Sequence, residues 1–347
     1  MESIKQTAQS VVDAIGAETN PNAPSNAGDM PKPSAYPVHS QRDEGKAVGI
    51  QAEMGKKPIT LKQEGSDGYE LYKAANKLAG KKAIVTGGDS GIGQAAAVMF
   101  AMEGADVAIV YLPEEEVDAK ETERLILKNG TSTPFFTALA NPAAEQNVFS
   151  GRECILIPQD IRDEQGCNRI IETVVQKWGR IDILVNNASV MYDTPSITDI
   201  TTEQFDRTMK TNIYGTFFLT RAAVPHMGKG SSIIVTASQV AYAGPPSLLD
   251  YSMTKGAQVS MVRSLSNQLL SKGIRVNAVA PGPVWTPLQE AAMDKDTLKQ
   301  WHQSPAPIGR IGMPSELGPA YVFLASADGS FISGQTIHVN GGAIVNG

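Results

Sequence analysis

Lys82-Ala83-Ile84-Val85-Thr86 runs without a break into Gly87-Gly88-Asp89-Ser90-Gly91-Ile92-Gly93, and then into the small-residue stretch Gln94 to Met102. A β-branched apolar run, a glycine turn and a helical run read as strand, turn and helix. The first turn of such a helix aims free backbone N–H groups and the positive end of its dipole beyond the strand, which makes an anion site. Glycine lets the backbone approach closely. A glycine cluster alone marks only a tight turn, but the flanking strand and helix turn this one into a cradle for a dinucleotide pyrophosphate, with Gly87, Asp89, Ser90, Gly91, Ile92 and Gly93 as candidate binding residues.

Outward from this point the same alternation continues. Short apolar runs at Lys82 to Thr86, Val107 to Tyr111, Cys154 to Ile157, Ile183 to Val185, Ser232 to Thr236, Arg275 to Val279 and Thr336 to Val339 are separated by helical stretches. Seven strands spaced by helices predict an α/β fold of Rossmann type, a doubly wound parallel sheet of about seven strands in three α/β/α layers. This domain covers 78–347. The preceding 1–77 reads as a largely irregular extension: Asn20 to Lys57 forms an arm interrupted by Pro21, Pro24, Pro31, Pro33 and Pro37. Before it, Ile4, Ala8, Val11, Val12 and Ile15 line one face of a short helix with no evident partner.

One connection has the wrong length. The second helix, Glu115 to about Lys128, stops at Asn129-Gly130, and a strand should follow within roughly 2 to 6 residues. Instead 131–151 intervenes, with Glu145 as its sole charge. Joining Gly130 to Arg152 restores an ordinary turn. The segment reads as an insertion, either a surface loop with its own partner or a translated stretch that the mature transcript lacks.

Composition narrows the function. The 347 residues are 19% charged and 41% hydrophobic, enough to bury a full core, and the net charge of −6 offers no basic field for nucleic acid. Cys154 and Cys167 are too few for a disulfide framework. His39, His226, His302 and His338 lack metal-ligand spacing, so no metal is expected. No apolar run approaches the roughly 18 residues of a membrane span, and Glu2, Lys5, Gln6 and Asp13 occupy the place of a signal peptide's apolar stretch, so a cytoplasmic location without a membrane partner is expected.

Nucleotide choice is read at the end of the second strand, where a carboxylate selects NAD and a cation selects NADP. Here Tyr111 and Leu112 stand there, followed by Pro113 and Glu114-Glu115-Glu116. The absence of a carboxylate at 111 leaves room for a 2′-phosphate, so NAD(P) is expected with NADP favoured.

Further along, Ser238 precedes Tyr251 by thirteen residues, and Lys255 follows one helical turn later. Residues four apart share a helix face, so the lysine is expected to lower the tyrosine pKa from about 10 and make it a general acid/base. Ser238 would hydrogen-bond the substrate oxygen. The same spacing recurs at Tyr69 and Lys73, before the nucleotide fold and with no serine upstream. That pair reads as an exposed helix pair.

Together these stations resemble the short-chain dehydrogenase/reductase family in its single-domain form, across about Leu78 to Gly347. They are Thr86-Gly87-x-x-x-Gly91-x-Gly93, Asp160-Ile161, Asn186-Asn187-Ala188, Asn212, Ser238, Tyr251, Lys255, and Pro281-Gly282 with Thr286. Thr86 to Gly93, Val107 to Glu116 and Leu248 to Lys255 are most similar to an aldehyde-reductase-like subgroup with an N-terminal arm. The resemblance implies that Asp160 and Ile161 flank the adenine and that Asn187 and Ala188 line the cofactor channel. It implies that Pro281, Gly282, Val284 and Thr286 hold the nicotinamide. It also implies that Lys255 holds the nicotinamide ribose, and that Asn212 kinks its helix and holds a water linking Lys255 to solvent. Ser189 departs from the glycine that the family usually has. The implied assembly is a homotetramer packed through the helices bearing Asn212 and Tyr251.

After Thr286, a stretch to Pro305 with Leu288, Met293, Leu298, Trp301 and His302 resembles a substrate lid, or else a core helix, and its apolar content suggests a greasy or ring-bearing substrate. His302 reads as a surface or packing histidine and Cys154 as core filler. The expected activity is hydride transfer between nicotinamide and a carbonyl or alcohol of a small molecule. Two alternatives remain at this level: a dinucleotide-binding sensor or scaffold without turnover, and epimerisation or dehydration at the same site.

Overall fold

The computed structural model describes residues 40–44, 48–65, 68–130, 152–303 and 306–345. The expected helix face at Ile4 to Ile15 and the segment 131–151 lie outside them. Among the described residues, no helix is long and apolar enough to cross a membrane.

Two strands lie in the extension. β1 (Lys62–Gly65) and β2 (Gly68–Leu71) pair antiparallel. Buried Arg310 fixes this hairpin to the main body by pairing with Glu64 and Glu316, both at 2.6 Å. The extension is therefore not irregular throughout, and Tyr69 stands on β2 rather than on a helix. Four-residue spacing is compatible with a helix but does not make one, and here strand pairing prevails. Lys73 is exposed and pairs with Glu70.

Seven parallel strands form the main sheet: β3 (Lys82–Thr86), β4 (Asp106–Tyr111), β5 (Cys154–Pro158), β6 (Ile183–Asn186), β7 (Ser232–Thr236), β8 (Arg275–Pro281) and β9 (Thr336–Val339). Their spatial order is β5-β4-β3-β6-β7-β8-β9. The chain thus winds outward from β3 in one direction, then returns to β3 and winds outward in the other, the doubly wound topology. Alternation along β3 shows why both faces are apolar: Ala83 and Val85 pack into one core, Ile84 into the other, and all three are completely buried. Burial of an Ile or Val side chain is worth roughly 1.5–3 kcal/mol.

On the first face lie α1 (Gly91–Met102), α2 (Glu116–Asn129) and later α9, with Ala97, Phe100 and Ile126 in its core. The second face carries α3 (Glu164–Trp178), where Ile170 and Val174 are buried. Its start is capped by Asp163, which accepts from Gly166 N–H, and it ends at Gly179 with a left-handed φ of 76°. Then come α4 (Thr202–Met209), a π-helical turn at Lys210–Gly215 and α5 (Thr216–Ala223). The 21-residue α6 (Leu249–Leu269) packs against β8. Two short helices follow, α7 (Pro287–Ala292) and α8 (Lys295–His302), and α9 (Pro314–Ala325) completes the first face.

The expected strands agree with those observed to within two residues at each end. The second helix starts one residue late because Pro113–Glu115 form a 3-10 turn, closed by the Glu115 carboxylate accepting from Leu112 N–H at 2.9 Å. Across the gap at 131–151 the flanking chain ends lie side by side. A Cβ built on Gly130 would stand 2.7 Å from Cγ of Arg152.

Candidate active site

A cleft of about 790 Å³ opens at the carboxyl ends of the strands, spanning the point where β3 and β6 diverge. Its walls include Gly87, Asp89, Ser90, Gly91, Ile92, Tyr111, Leu112, Asp160, Ile161, Asn187 and Ala188. Pro281, Gly282, Val284, Thr286, Ser238, Tyr251 and Lys255 complete the expected set there. Gly93 and Asn212 stand behind the wall.

Gly93 has a packing role. A Cβ at this position would lie 1.8 Å from the Gly87 carbonyl oxygen, so only glycine lets the helix close against the turn. Gly87 itself has φ of 60°, which glycine adopts without strain. Asn187 ties the turn to β6: its amide nitrogen donates to the carbonyls of Thr86 at 3.0 Å and Gly87 at 3.2 Å. Thr86 Oγ1 in return accepts from the N–H groups of Asn187 and Ala188. With the turn tied down and Ile92 lining the cleft in the first turn of α1, where helix N–H groups lack intrahelical partners, the cradle fits a pyrophosphate.

At the far end, Tyr111 turns its hydroxyl to the Glu116 carboxylate and is held above its ordinary pKa by burial. Asp89 is 1% exposed, and no hydrogen-bond partner reaches either carboxylate oxygen. Burial pushes it up to about 7. Glu115, also in the wall, is pushed up to about 9 by burial and by the charge of Asp89. Asp160 is the contrast: burial works against its charge, but the Arg162 guanidinium outweighs burial and keeps it below the usual range. Arg162 Nε bonds Asp160 at 2.7 Å and lines the cleft too, a residue that the sequence pattern did not single out.

Tyr251 and Lys255 lie one turn apart on α6, as the spacing requires. Lys255 Nζ is 5.2 Å from the Tyr251 ring centroid and donates to the Thr236 carbonyl at 2.8 Å. Thr236 is held in turn, sharing a hydrogen bond with Tyr321 at 2.7 Å and donating to Asn187 Oδ1 at 3.1 Å. The electrostatics depart from expectation. Burial raises Tyr251 well above its ordinary pKa, and the groups that pull it back are the hydroxyls of Ser189 and Ser238. Burial also lowers Lys255 to about 7, so near neutrality it is only partly an ammonium. The expected lowering of Tyr251 by Lys255 is therefore corrected: burial raises the phenol, and it is the two serine hydroxyls that oppose the rise.

Asn212 lies within the π-helical turn. Its side chain is fully engaged. Oδ1 accepts from Ser189 Oγ at 3.0 Å and Val190 N–H at 2.9 Å, while Nδ2 donates to Val190 O and Thr254 Oγ1, both at 3.0 Å. Its carbonyl accepts from Thr216 Oγ1 and Gln258 Nε2, each at 2.8 Å. Asn212 thus positions the loop that carries Ser189. Ser189, expected only to stiffen the backbone, instead joins Asn212 to the Tyr251 phenol.

The α7–α8 segment brings Leu288, Met293 and Trp301 to the cleft wall, whereas Leu298 is buried behind them. The segment thus lines the cleft and packs into the core at once. His302 is a packing residue, 2% exposed between Trp285 at 5.0 Å and Trp301 at 5.6 Å, and burial lowers it to about 4. Cys154 is half-buried against the core.

A family model described as enoyl-(acyl carrier protein) reductase matches residues 135–343. The glucose and ribitol dehydrogenase of Daucus carota is 47% identical over 80% of this chain and 89% of its own length. The chloroplastic NADPH-dependent aldehyde reductase 1 of Arabidopsis thaliana is 46% identical over 79% of this chain and 90% of its own. Among solved structures, a short-chain dehydrogenase from Burkholderia cenocepacia J2315 in complex with NADP is 30% identical. It covers 77% of this chain and 99% of its own, with a TM-score of 0.65.

Proposed function

Since the chain belongs to the short-chain dehydrogenase/reductase family and is an NAD(P)-dependent oxidoreductase of carbonyl and alcohol groups, we propose that it reduces apolar or ring-bearing aldehydes and ketones, with NADPH preferred. One observation carries the reading: Ser238, Tyr251 and Lys255 converge in the same cleft as the glycine turn, under a lid that brings Leu288, Met293 and Trp301 to the wall. When bound, the nicotinamide supplies the hydride.

The rest falls to the chain's own groups. The glycine turn, with its Ile92 amide, would hold the pyrophosphate, Asp160 and Ile161 the adenine side, Asn187 and Ala188 the channel, and Pro281, Gly282, Val284 and Thr286 the nicotinamide. Ser238 would orient the substrate oxygen, and Tyr251 would give it a proton. Lys255 would hold the nicotinamide ribose, and Asn212 would fix the loop that places Ser189 on the phenol. Water excluded by the lid strengthens each of these hydrogen bonds.

The NADPH preference draws support from Tyr111, which brings no carboxylate to the ribose, and from the NADPH-dependent Arabidopsis relative. Asp89 and Glu115 would oppose a 2′-phosphate if both were charged. Their raised pKa values reduce that opposition at neutral pH. A homotetramer through α5 and α6 is supported by Tyr214, Phe217 and Met253, each about half exposed. A cytoplasmic location fits two cysteines that are not bonded to each other. The fold domain 78–347 with 131–151 as an insertion is the organisation we adopt.

A panel of aldehydes, ketones and alcohols run with each cofactor, following the reduced-nicotinamide absorbance, tests the reading. Turnover of apolar carbonyls with NADPH is expected. Dinucleotide binding with no turnover across the panel would replace the reductase by a sensor.

A further inference from the structure

We infer that the N-terminal extension supplies one wall of the dinucleotide cleft and that its Gln51 is a positioning residue for the phosphate-binding turn, an inference that rests on the reading above. Val48 and Gly49 line the cleft. Gly49 is pressed so close to the start of α7 that a Cβ there would lie 2.2 Å from the Pro287 carbonyl oxygen. The contact leaves no space for any other residue.

Gln51, 7% exposed, reaches both ends of the turn. Its Oε1 accepts from Gly91 N–H at 2.9 Å, one of the N–H groups that the start of a helix leaves without a partner of its own. Its Nε2 donates to Gln94 Oε1 at 2.9 Å. Gln94 Nε2 then donates to the Asp89 carbonyl at 3.0 Å and to Thr122 Oγ1 at 2.7 Å, and Thr122 donates to that same carbonyl. The main chain of the extension is anchored independently, because the N–H groups of Gln51 and Ala52 both donate to the Asp118 carboxylate, at 2.6 and 2.8 Å. Gln51 therefore fixes the Asp89 carbonyl and the Gly91 amide relative to each other. The turn they bracket must keep its shape for the start of α1 to receive an anion.

The same segment extends to the lid. Gln41 accepts from Ile50 N–H at 2.7 Å and donates to the Ile50 carbonyl and to Glu290 Oε2 on α7. Arg42 donates to the carbonyls of Ala292 and Asp193, and Ser40 to that of Met293. One strap thus joins phosphate turn and substrate lid. A preorganised turn spares the ordering cost of binding, so loss of Gln51's bonds falls on cofactor affinity rather than on chemistry.

The experiment uses the full chain with NADPH and NADH as probes. Gln51→Ala and the near-isosteric Gln51→Met are expected to weaken dinucleotide binding about tenfold, the scale of one to two hydrogen bonds, while kcat at saturating cofactor stays within about twofold. In the wild type, amide exchange at Gln51 and Ala52 is expected to slow when NADPH is added. Wild-type affinity in Gln51→Met, or unchanged exchange at 51 and 52, overturns the inference and leaves the reductase reading standing. A wild-type chain that binds neither probe overturns both.

Discussion

Lys255 Nζ donates to the Thr236 carbonyl at 2.8 Å while lying 5.2 Å from the centre of the Tyr251 ring. The amine is thereby fixed from the sheet side. Only the helix spacing brings it to the tyrosine, and in the cofactor-free chain burial governs the titration of both groups.

That arrangement predicts a pH-dependent stability. Lys255 falls from 10.5 to about 7 on folding, so between those values the unfolded chain holds a proton that the folded chain has released. Stability of the cofactor-free protein therefore rises with pH across this window. Lys255→Met removes that rise. Thermal midpoints at pH 6.5 and 9.5 check it, and equal slopes in both proteins would mean that the amine keeps its ordinary pKa.

Tyr251→Phe is expected to lower kcat at least a hundredfold with cofactor affinity nearly unchanged, in line with the 10² to 10⁴ typical of acid/base groups. Steady-state rates together with NADPH titration separate the two effects. Near-normal turnover would remove Tyr251 from the chemistry.

Ser189→Ala should move the tyrosine limb of the kcat/KM profile to higher pH, because a hydroxyl that can turn from Asn212 to the ionised phenol is gone. In the alcohol-oxidation direction, where the phenolate is the base, one hydrogen bond of about 1 kcal/mol corresponds to a loss of roughly fivefold at pH 7. A Ser189→Ala profile superimposed on that of the wild type would confine Ser189 to holding Asn212.

NADPH affinity is expected to fall as pH rises from about 6 to 9, since Asp89 near 7 and Glu115 near 9 then lose protons in the cleft wall and would repel the extra phosphate of NADPH. NADH, which lacks that phosphate, should change less. Parallel dissociation constants at four pH values decide it. In Asp89→Asn the NADPH slope should flatten.

Joining Gly130 to Arg152 by deleting 131–151 is expected to leave the thermal midpoint within about 2 °C and kcat within about twofold, because the flanking residues already touch. A large loss of either would make the segment part of the working enzyme. Intact mass of the protein from its native source shows whether the segment is translated at all.

The amino-acid sequence by itself determined the strands, the glycine turn and the spacing of Ser238, Tyr251 and Lys255. Each is a local pattern: β-branched runs bounded by turns, a turn that only glycine allows at Gly93, and two side chains four residues apart on one helix. Asn212 could be picked out by family resemblance, whereas the π-helical turn that holds it came from the structure. What only the tertiary structure decided involves residues far apart in the chain. Gln51 meets Gly91 across 40 positions, and Gln41 meets Glu290 across 249. No periodicity records such contacts, and the described residues around Gln41 and Gln51 look irregular in sequence until the surface they cover exists. The titration of Tyr251 and Lys255 was equally out of reach, because spacing gives proximity, whereas the cost of leaving water depends on everything packed around them.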